Sequence, residues 1–178
     1  MALSATIYQV QLSLADSDRE LYLDERLTLA LHPSETPARM VTRLLAWAMY
    51  SAPALAFGRG ISTREDPDLW EKDIHENVLH WIEVGEPDPD RLRKAALQSA
   101  VVTVIPYGRQ WKQWWQRNEK VLRQMRKLQI RVLHWEAVEQ LADNLPRSFN
   151  WQITISEGEL FVTDHRGQMI NLVPQRPG

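Results

Sequence analysis

A chain of 178 residues with a formal net charge of −2 is long enough to enclose a core as one domain and too short for two of ordinary size. Its apolar fraction of 44% and charged fraction of 25% argue against disorder and against a membrane class. Cysteine is absent, which excludes disulfides, thiolate zinc sites and cysteine nucleophiles and suits a reducing compartment.

Residues 1–10 lack the basic head and apolar run of a secretion signal, and no apolar stretch approaches a membrane span. The expectation is a cytoplasmic, single-domain protein over 1–178 with no membrane partner. Residues 5–14 and 21–29 alternate apolar and polar side chains at period two around the turn Asp16-Ser17-Asp18, which predicts an antiparallel hairpin. Ser34 or Thr36 can cap a helix over 36–50 with Pro37 in its first turn, where no N–H partner is lost. Its apolar stripe is Met40, Val41, Leu44, Leu45 and Ala48.

Short strands follow near 55–60 and from Leu69, separated by Glu65-Asp66-Pro67-Asp68. Another strand over 78–84 ends at Gly85. Asp88 offers a cap with Pro89 at the first helical position, so a helix over 89–100 is expected. The β-branched run 101–105 predicts a strand buried on both faces. Apolar residues from Trp111 to Leu128 recur at helical spacing, predicting an amphipathic helix over 109–128. A strand at 130–134, a helix at 136–143 and three strands near 149–156, 159–164 and 168–173 complete a mixed α/β succession.

The small net charge conceals a partition. Residues 61–94 carry ten acidic and five basic side chains. Residues 95–131 carry eight basic ones (Arg109, Lys112, Arg117, Lys120, Arg123, Arg126, Lys127, Arg131) against Glu119 alone. An acidic pocket beside a basic surface suits a metal site that meets a phosphate backbone, and solvated faces are the plainer account.

Asp68 heads one predicted strand and Glu83 lies inside the next. Adjacent strands stand about 4.8 Å apart, so both carboxylates can converge on one hard cation such as Mg²⁺, which takes oxygen ligands and keeps several waters. Glu83 between Ile82 and Val84 is costly to bury unless it is paired or functional. Lys94 and Gln98, one turn apart on the following helix, share a face and can point at the same place.

Pro67-Asp68 followed by Glu83-Val84-Gly85 resembles the PD-(D/E)XK signature of a nuclease superfamily, with glycine where lysine is expected. The closer resemblance, over nearly the whole chain, is to the YaeQ family, on residues 28–36, Arg43-Leu44-Leu45-Ala46-Trp47, Asp66-Pro67-Asp68-Leu69-Trp70, Trp81-Ile82-Glu83-Val84-Gly85 and Arg93-Lys94-Ala95. That resemblance implies an α/β, restriction-endonuclease-like mixed β-sheet flanked by helices, with an additional N-terminal hairpin and C-terminal β-meander. It implies Asp68 and Glu83 as metal ligands, the lysine displaced to Lys94, and supporting roles for Gln98 and for Glu35 on the first helix. The family carries no established activity.

The tryptophans Trp111, Trp114 and Trp115 among basic residues suggest a stacking platform for single strands, but their helical spacing fits core packing. The five histidines show no metal-ligand spacing. Two functional expectations follow. One is a Mg²⁺-dependent nuclease-like phosphodiesterase, with nucleic acid held through residues 109–131. The other is a catalytically inactive nucleic-acid- or protein-binding regulatory module on the same scaffold.

Overall fold

Period-two alternation and β-branched runs decide where the strands fall, and in the computed structural model they give two sheets. Residues 3–61 and 63–178 are described. In chain order the elements are β1 (Thr6–Asp16), β2 (Leu21–Leu31), α1 (Pro37–Met49), β3 (Leu55–Phe57), β4 (Leu69–Lys72), β5 (Val78–Val84), α2 (Pro89–Gln98), β6 (Ser99–Ile105), α3 (Trp111–Leu122), β7 (Leu128–Ile130), α4 (Trp135–Ala142), β8 (Ser148–Ser156), β9 (Glu159–Thr163) and β10 (Met169–Leu172). They divide between two compact units, Met1–Val41 with Leu133–Pro174, and Thr42–Val132 with Gln175–Gly178.

The first unit carries a sheet in the order β10-β9-β8-β1-β2. The β1–β2 hairpin pairs from Thr6↔Leu31 to Asp16↔Leu21, and β1 also pairs in parallel with β8. The hairpin and the meander predicted as separate additions are therefore one sheet. Alternation sets its faces: Val10, Leu12 and Leu14 on β1 and Phe149, Trp151, Ile153 and Ile155 on β8 are buried, while Gln9, Gln11, Asn150 and Gln152 are exposed. Helix α4 packs against β10 and buries Val138 and Leu141.

The second unit carries the sheet β3-β4-β5-β6-β7. Its β3, β4 and β5 are antiparallel neighbours, whereas β5, β6 and β7 run parallel, with α2 and α3 as the crossovers that parallel strands require. One face collects Trp81, Val102, Val104 and Ile130 with Leu92 and Ala95 of α2 and Leu122 of α3. Burying these seven residues together with Val132 is the main favourable contribution here, at about 1.5–3 kcal/mol for each large side chain. Trp111, Trp114 and Trp115 pack partly buried on this cluster, and the Trp114 indole N–H donates to the Pro87 carbonyl at 2.9 Å. Their helical spacing thus reflects core packing.

Helix α2 begins as its sequence predicts. Asp88 accepts from the Asp90 N–H at 2.8 Å, and Pro89 occupies the first position. Helix α3 is shorter than the 109–128 expected, because the chain turns after Leu122 so that Leu128–Ile130 can pair with β6. Apolar periodicity continues through Met125 and Leu128 because both pack on the same core, so periodicity alone does not mark that boundary. Lys127 then donates to the Ala96 and Ser99 carbonyls at 2.7 and 2.9 Å, serving the carbonyl end of α2. No helix among the described residues is long and apolar enough to cross a membrane.

On the opposite face of β5, His80 is half-buried against Tyr50, with ring centroids 4.9 Å apart and nearly perpendicular. Its Nε2 lies 2.7 Å from Thr103 Oγ1. Burial pushes this imidazole down to about 4, so the folded chain keeps it neutral while an unfolded chain protonates first as pH falls below about 6.5. Stability from this group is therefore full above pH 6.5 and is lost as the pH falls toward 4. Urea midpoints measured from pH 7.5 to 4.5 should decline, and His80→Gln should flatten that decline; an unchanged slope in the variant would contradict the assignment.

Candidate functional site

Two carboxylates meet at the junction of β4 and β5. The antiparallel register pairs Leu69 with Ile82 and Trp70 with Trp81. Continued by one residue, it sets Asp68 against Glu83. Both are nearly inaccessible, at 6% and 4% exposure, on the face of β5 that carries Trp81.

Each carboxylate is held in place. Asp68 Oδ2 accepts the Val84 N–H at 2.8 Å, and the Asp68 N–H donates to the Ile82 carbonyl at 3.0 Å. Gly58 donates its N–H to the Asp68 carbonyl at 2.9 Å. A Cβ on Gly58 would stand 1.9 Å from the Pro67 carbonyl oxygen, so only glycine lets β3 approach the Pro67-Asp68 backbone this closely. Neighbouring Asp66 is engaged elsewhere: Arg59 grips it through Nε at 2.8 Å and a terminal nitrogen at 3.1 Å. These hydrogen bonds, against the cost of burial, hold its carboxyl below the usual range.

Glu83 Oε1 receives two donors, the Trp81 indole N–H at 2.8 Å and Arg91 Nε at 2.7 Å. Trp81 and Glu83 are two apart on one strand and therefore share a face. Burial pushes the Glu83 carboxyl up, and the negative charge of Asp68 pushes it further. Arg91 and the indole N–H pull the other way without cancelling the rise. No hydrogen bond among the described residues reaches Glu83 Oε2.

Arg91 is the residue that sequence reading missed. From the first turn of α2 it binds Glu83 and also donates to the carbonyls of Arg64 and, at 2.8 Å, Asp66. It thereby ties the 64–66 loop to β5. A cation near a helix N-terminus opposes the helix dipole, and that local conflict is the available sequence signal that Arg91 has a specific acidic partner.

Lys94 and Gln98 lie on the same helix face as Arg91. With Arg64, Glu65, Trp81 and Ala95 they line a cavity of about 440 Å³. Both are exposed on its rim. Of the five residues singled out in the sequence, Lys94 and Gln98 line this cavity, Glu83 reaches its lining through Trp81 and Arg91, and Asp68 is not part of it. Glu35 belongs to the first unit, where its carboxylate pairs with Arg39 at 3.1 Å and faces the His32 N–H at 3.4 Å. No group of three or more His, Asp or Glu residues among those described is placed to hold a metal ion.

Among the described residues, ten strands in two mixed sheets and four helices make this a mixed α/β protein. It belongs to the YaeQ family, whose model, described as YaeQ protein, matches residues 1–172. The protein named Uncharacterized protein YaeQ in Salmonella typhi is 39% identical over 170 residues, covering 95% of this chain and 94% of that one. Its namesake in Escherichia coli (strain K12) is 38% identical over 174 residues, covering 97% and 96%. The crystal structure of YaeQ protein from Xanthomonas axonopodis pv. citri superposes with a TM-score of 0.91 at 35% identity, over 98% of this chain and 100% of that one. That of YaeQ protein from Pseudomonas syringae also gives 0.91, at 39% identity over 98% and 97%.

Removing the guanidinium should leave Glu83 buried beside a like charge. Arg91→Met is expected to lower the unfolding free energy by about 2–3 kcal/mol, less than for a fully buried pair because the arginine is partly exposed. Adding Glu83→Gln should recover more than half of that loss. Urea denaturation of both variants measures this, and a neutral Arg91→Met would contradict the pairing.

Proposed function

We propose that this chain is a metal-dependent phosphodiesterase of the PD-(D/E)XK type acting on nucleic acid. The observation that carries the reading is the buried pairing of Asp68 with Glu83, in which the charge of Asp68 raises the cost of ionising Glu83. A divalent cation relieves that repulsion, and the donor set suits a hard one: carboxylate oxygens, with Glu83 Oε2 receiving no hydrogen bond among the described residues. Mg²⁺ needs only one or two protein carboxylates when water and substrate phosphate complete its shell.

Asp68 and Glu83 would hold the ion, which when bound polarises a phosphate and acidifies its water. The chain's own residues would do the rest. Lys94 sets an ammonium on the rim of the adjoining cavity, where it would offset charge building on the phosphate oxygens, and Gln98 offers an amide for orientation. Water adds at phosphorus, a P–O ester bond breaks, and the products are a phosphate-terminated and a hydroxyl-terminated end.

Backbone conformation supports placing the lysine on α2. Gly85, where that signature expects lysine, has φ of +95°, a region that L side chains adopt only with strain. A lysine there would disturb the exit from β5. The basic residues of α3 and its flank would position the phosphate backbone without reading sequence, although several are engaged within the fold. Arg123 pairs with Glu119 at 2.8 Å and covers the Trp115 ring, and Lys127 serves α2.

A second reading, a catalytically silent binding module, is favoured by one contact: Arg91 already supplies a positive charge to Glu83. Cleavage separates the two. Single-stranded, duplex and structured DNA and RNA incubated with Mg²⁺ or Mn²⁺ should be cut, with loss on chelation and a drop of about 100-fold or more in Glu83→Gln. Cutting that survives Glu83→Gln in a folded variant would contradict this site, and a protein that neither cuts nor binds Mg²⁺ would favour the binding module.

A further inference from the structure

We propose that the cavity beside Glu83 is a receptor for a terminal phosphate, the monoester end of a nucleic-acid strand or of a single nucleotide. The proposal rests on the phosphodiesterase reading for the kind of strand and shares Lys94 and Gln98 with it, but it adds Arg64 and needs no metal.

Shape comes first. The cavity of about 440 Å³ falls within the range of small-molecule pockets. Its floor is closed by Trp81 and Ala95, at 3% and 1% exposure. One wall is Arg91, fixed by three acceptors, on Glu83, Arg64 and Asp66.

Charge selects the ligand. Five charged groups bear on the space: Arg64, Arg91 and Lys94, with Glu65 on the lining and Glu83 behind Arg91. Arg91 is neutralised by Glu83. Arg59 is taken up by Asp66, so the carboxylate of Glu65 keeps its charge on the lining. Arg64 and Lys94 remain, one from the loop and one from the helix, and neither makes an ion pair among the described residues. Two unpaired cations against the one carboxylate of Glu65 leave the cavity with a net positive charge, which favours the doubly charged monoester end over a singly charged diester, and the Gln98 amide adds a neutral donor. A neutral sugar or base would leave that net positive charge unanswered.

Arg64 is the residue this inference adds. Only its side chain enters the argument, since its carbonyl already serves Arg91 and is retained in any substitution. Being exposed, it can be replaced without disturbing the core.

The test uses the full chain in chelator, by isothermal titration calorimetry. The probes are one short oligonucleotide with 5′-phosphate, 3′-phosphate or only hydroxyl ends, together with thymidine monophosphate and inorganic phosphate. A phosphorylated end should bind about tenfold or more tightly than the hydroxyl form, as a charge-assisted contact implies, and Arg64→Gln and Lys94→Gln should each remove most of that advantage. If thymidine monophosphate or inorganic phosphate alone binds with the same dependence on Arg64, the receptor stands and its source is the free monoester. Equal affinity for all ends, or an advantage that survives both substitutions, overturns the proposal. Preference for phosphorylated ends without any cleavage would sink only the phosphodiesterase reading; cleavage without end preference would sink only this one.

Discussion

Two carboxylates buried side by side at the β4–β5 junction are the constraint around which the second unit is arranged. Burial and the neighbouring charge of Asp68 both raise the cost of ionising Glu83 in that position. The fold answers with directed donors: the Val84 N–H to Asp68, the Trp81 indole to Glu83 and the Arg91 guanidinium to Glu83. Each donor also serves the frame. Trp81 belongs to the core cluster on this face of the sheet, and Arg91 fastens the 64–66 loop. The same contacts that make the carboxylates tolerable therefore fix where they point.

The arrangement was partly legible in the sequence because part of it is local. Glu83 between Ile82 and Val84 marks a charge inside an apolar strand, and Asp88-Pro89 announces the start of α2 through its own hydrogen bonding. The long β1–β2 hairpin follows from alternation across a polar turn. What was not legible depends on partners distant in the chain. The parallel pairing of β1 with β8 joins segments about 140 residues apart in register from Gln9↔Ser148, so hairpin and meander read as separate pieces until they meet. The role of Arg91 is hidden in the sequence for a similar reason, while the resemblance points to Lys94. Side by side on one helix they look alike, and only the approach of β5 decides which one finds a carboxylate.

The basic segment teaches a related lesson. Eight cations over residues 95–131 read as a surface for polyanions, yet Lys127 closes the end of α2 and Arg123 answers Glu119. Charge counted along a chain overstates charge available to a partner. Membership of the YaeQ family, secure across nearly the whole length, fixes the architecture in the same limited sense, because function resides in the site. That is why the proposed chemistry is argued from Asp68, Glu83 and the lining of one cavity.

The central claim is that Glu83 sits in the folded chain as a strained carboxylate beside Asp68. Carbon-13 NMR titration of the labelled glutamate carboxyls in metal-free protein tests it directly. Glu83 should titrate above the ordinary range for glutamate, and Asp68→Asn should bring it back toward that range. A Glu83 that titrates at or below the other glutamates, indifferent to Asp68, would contradict the account.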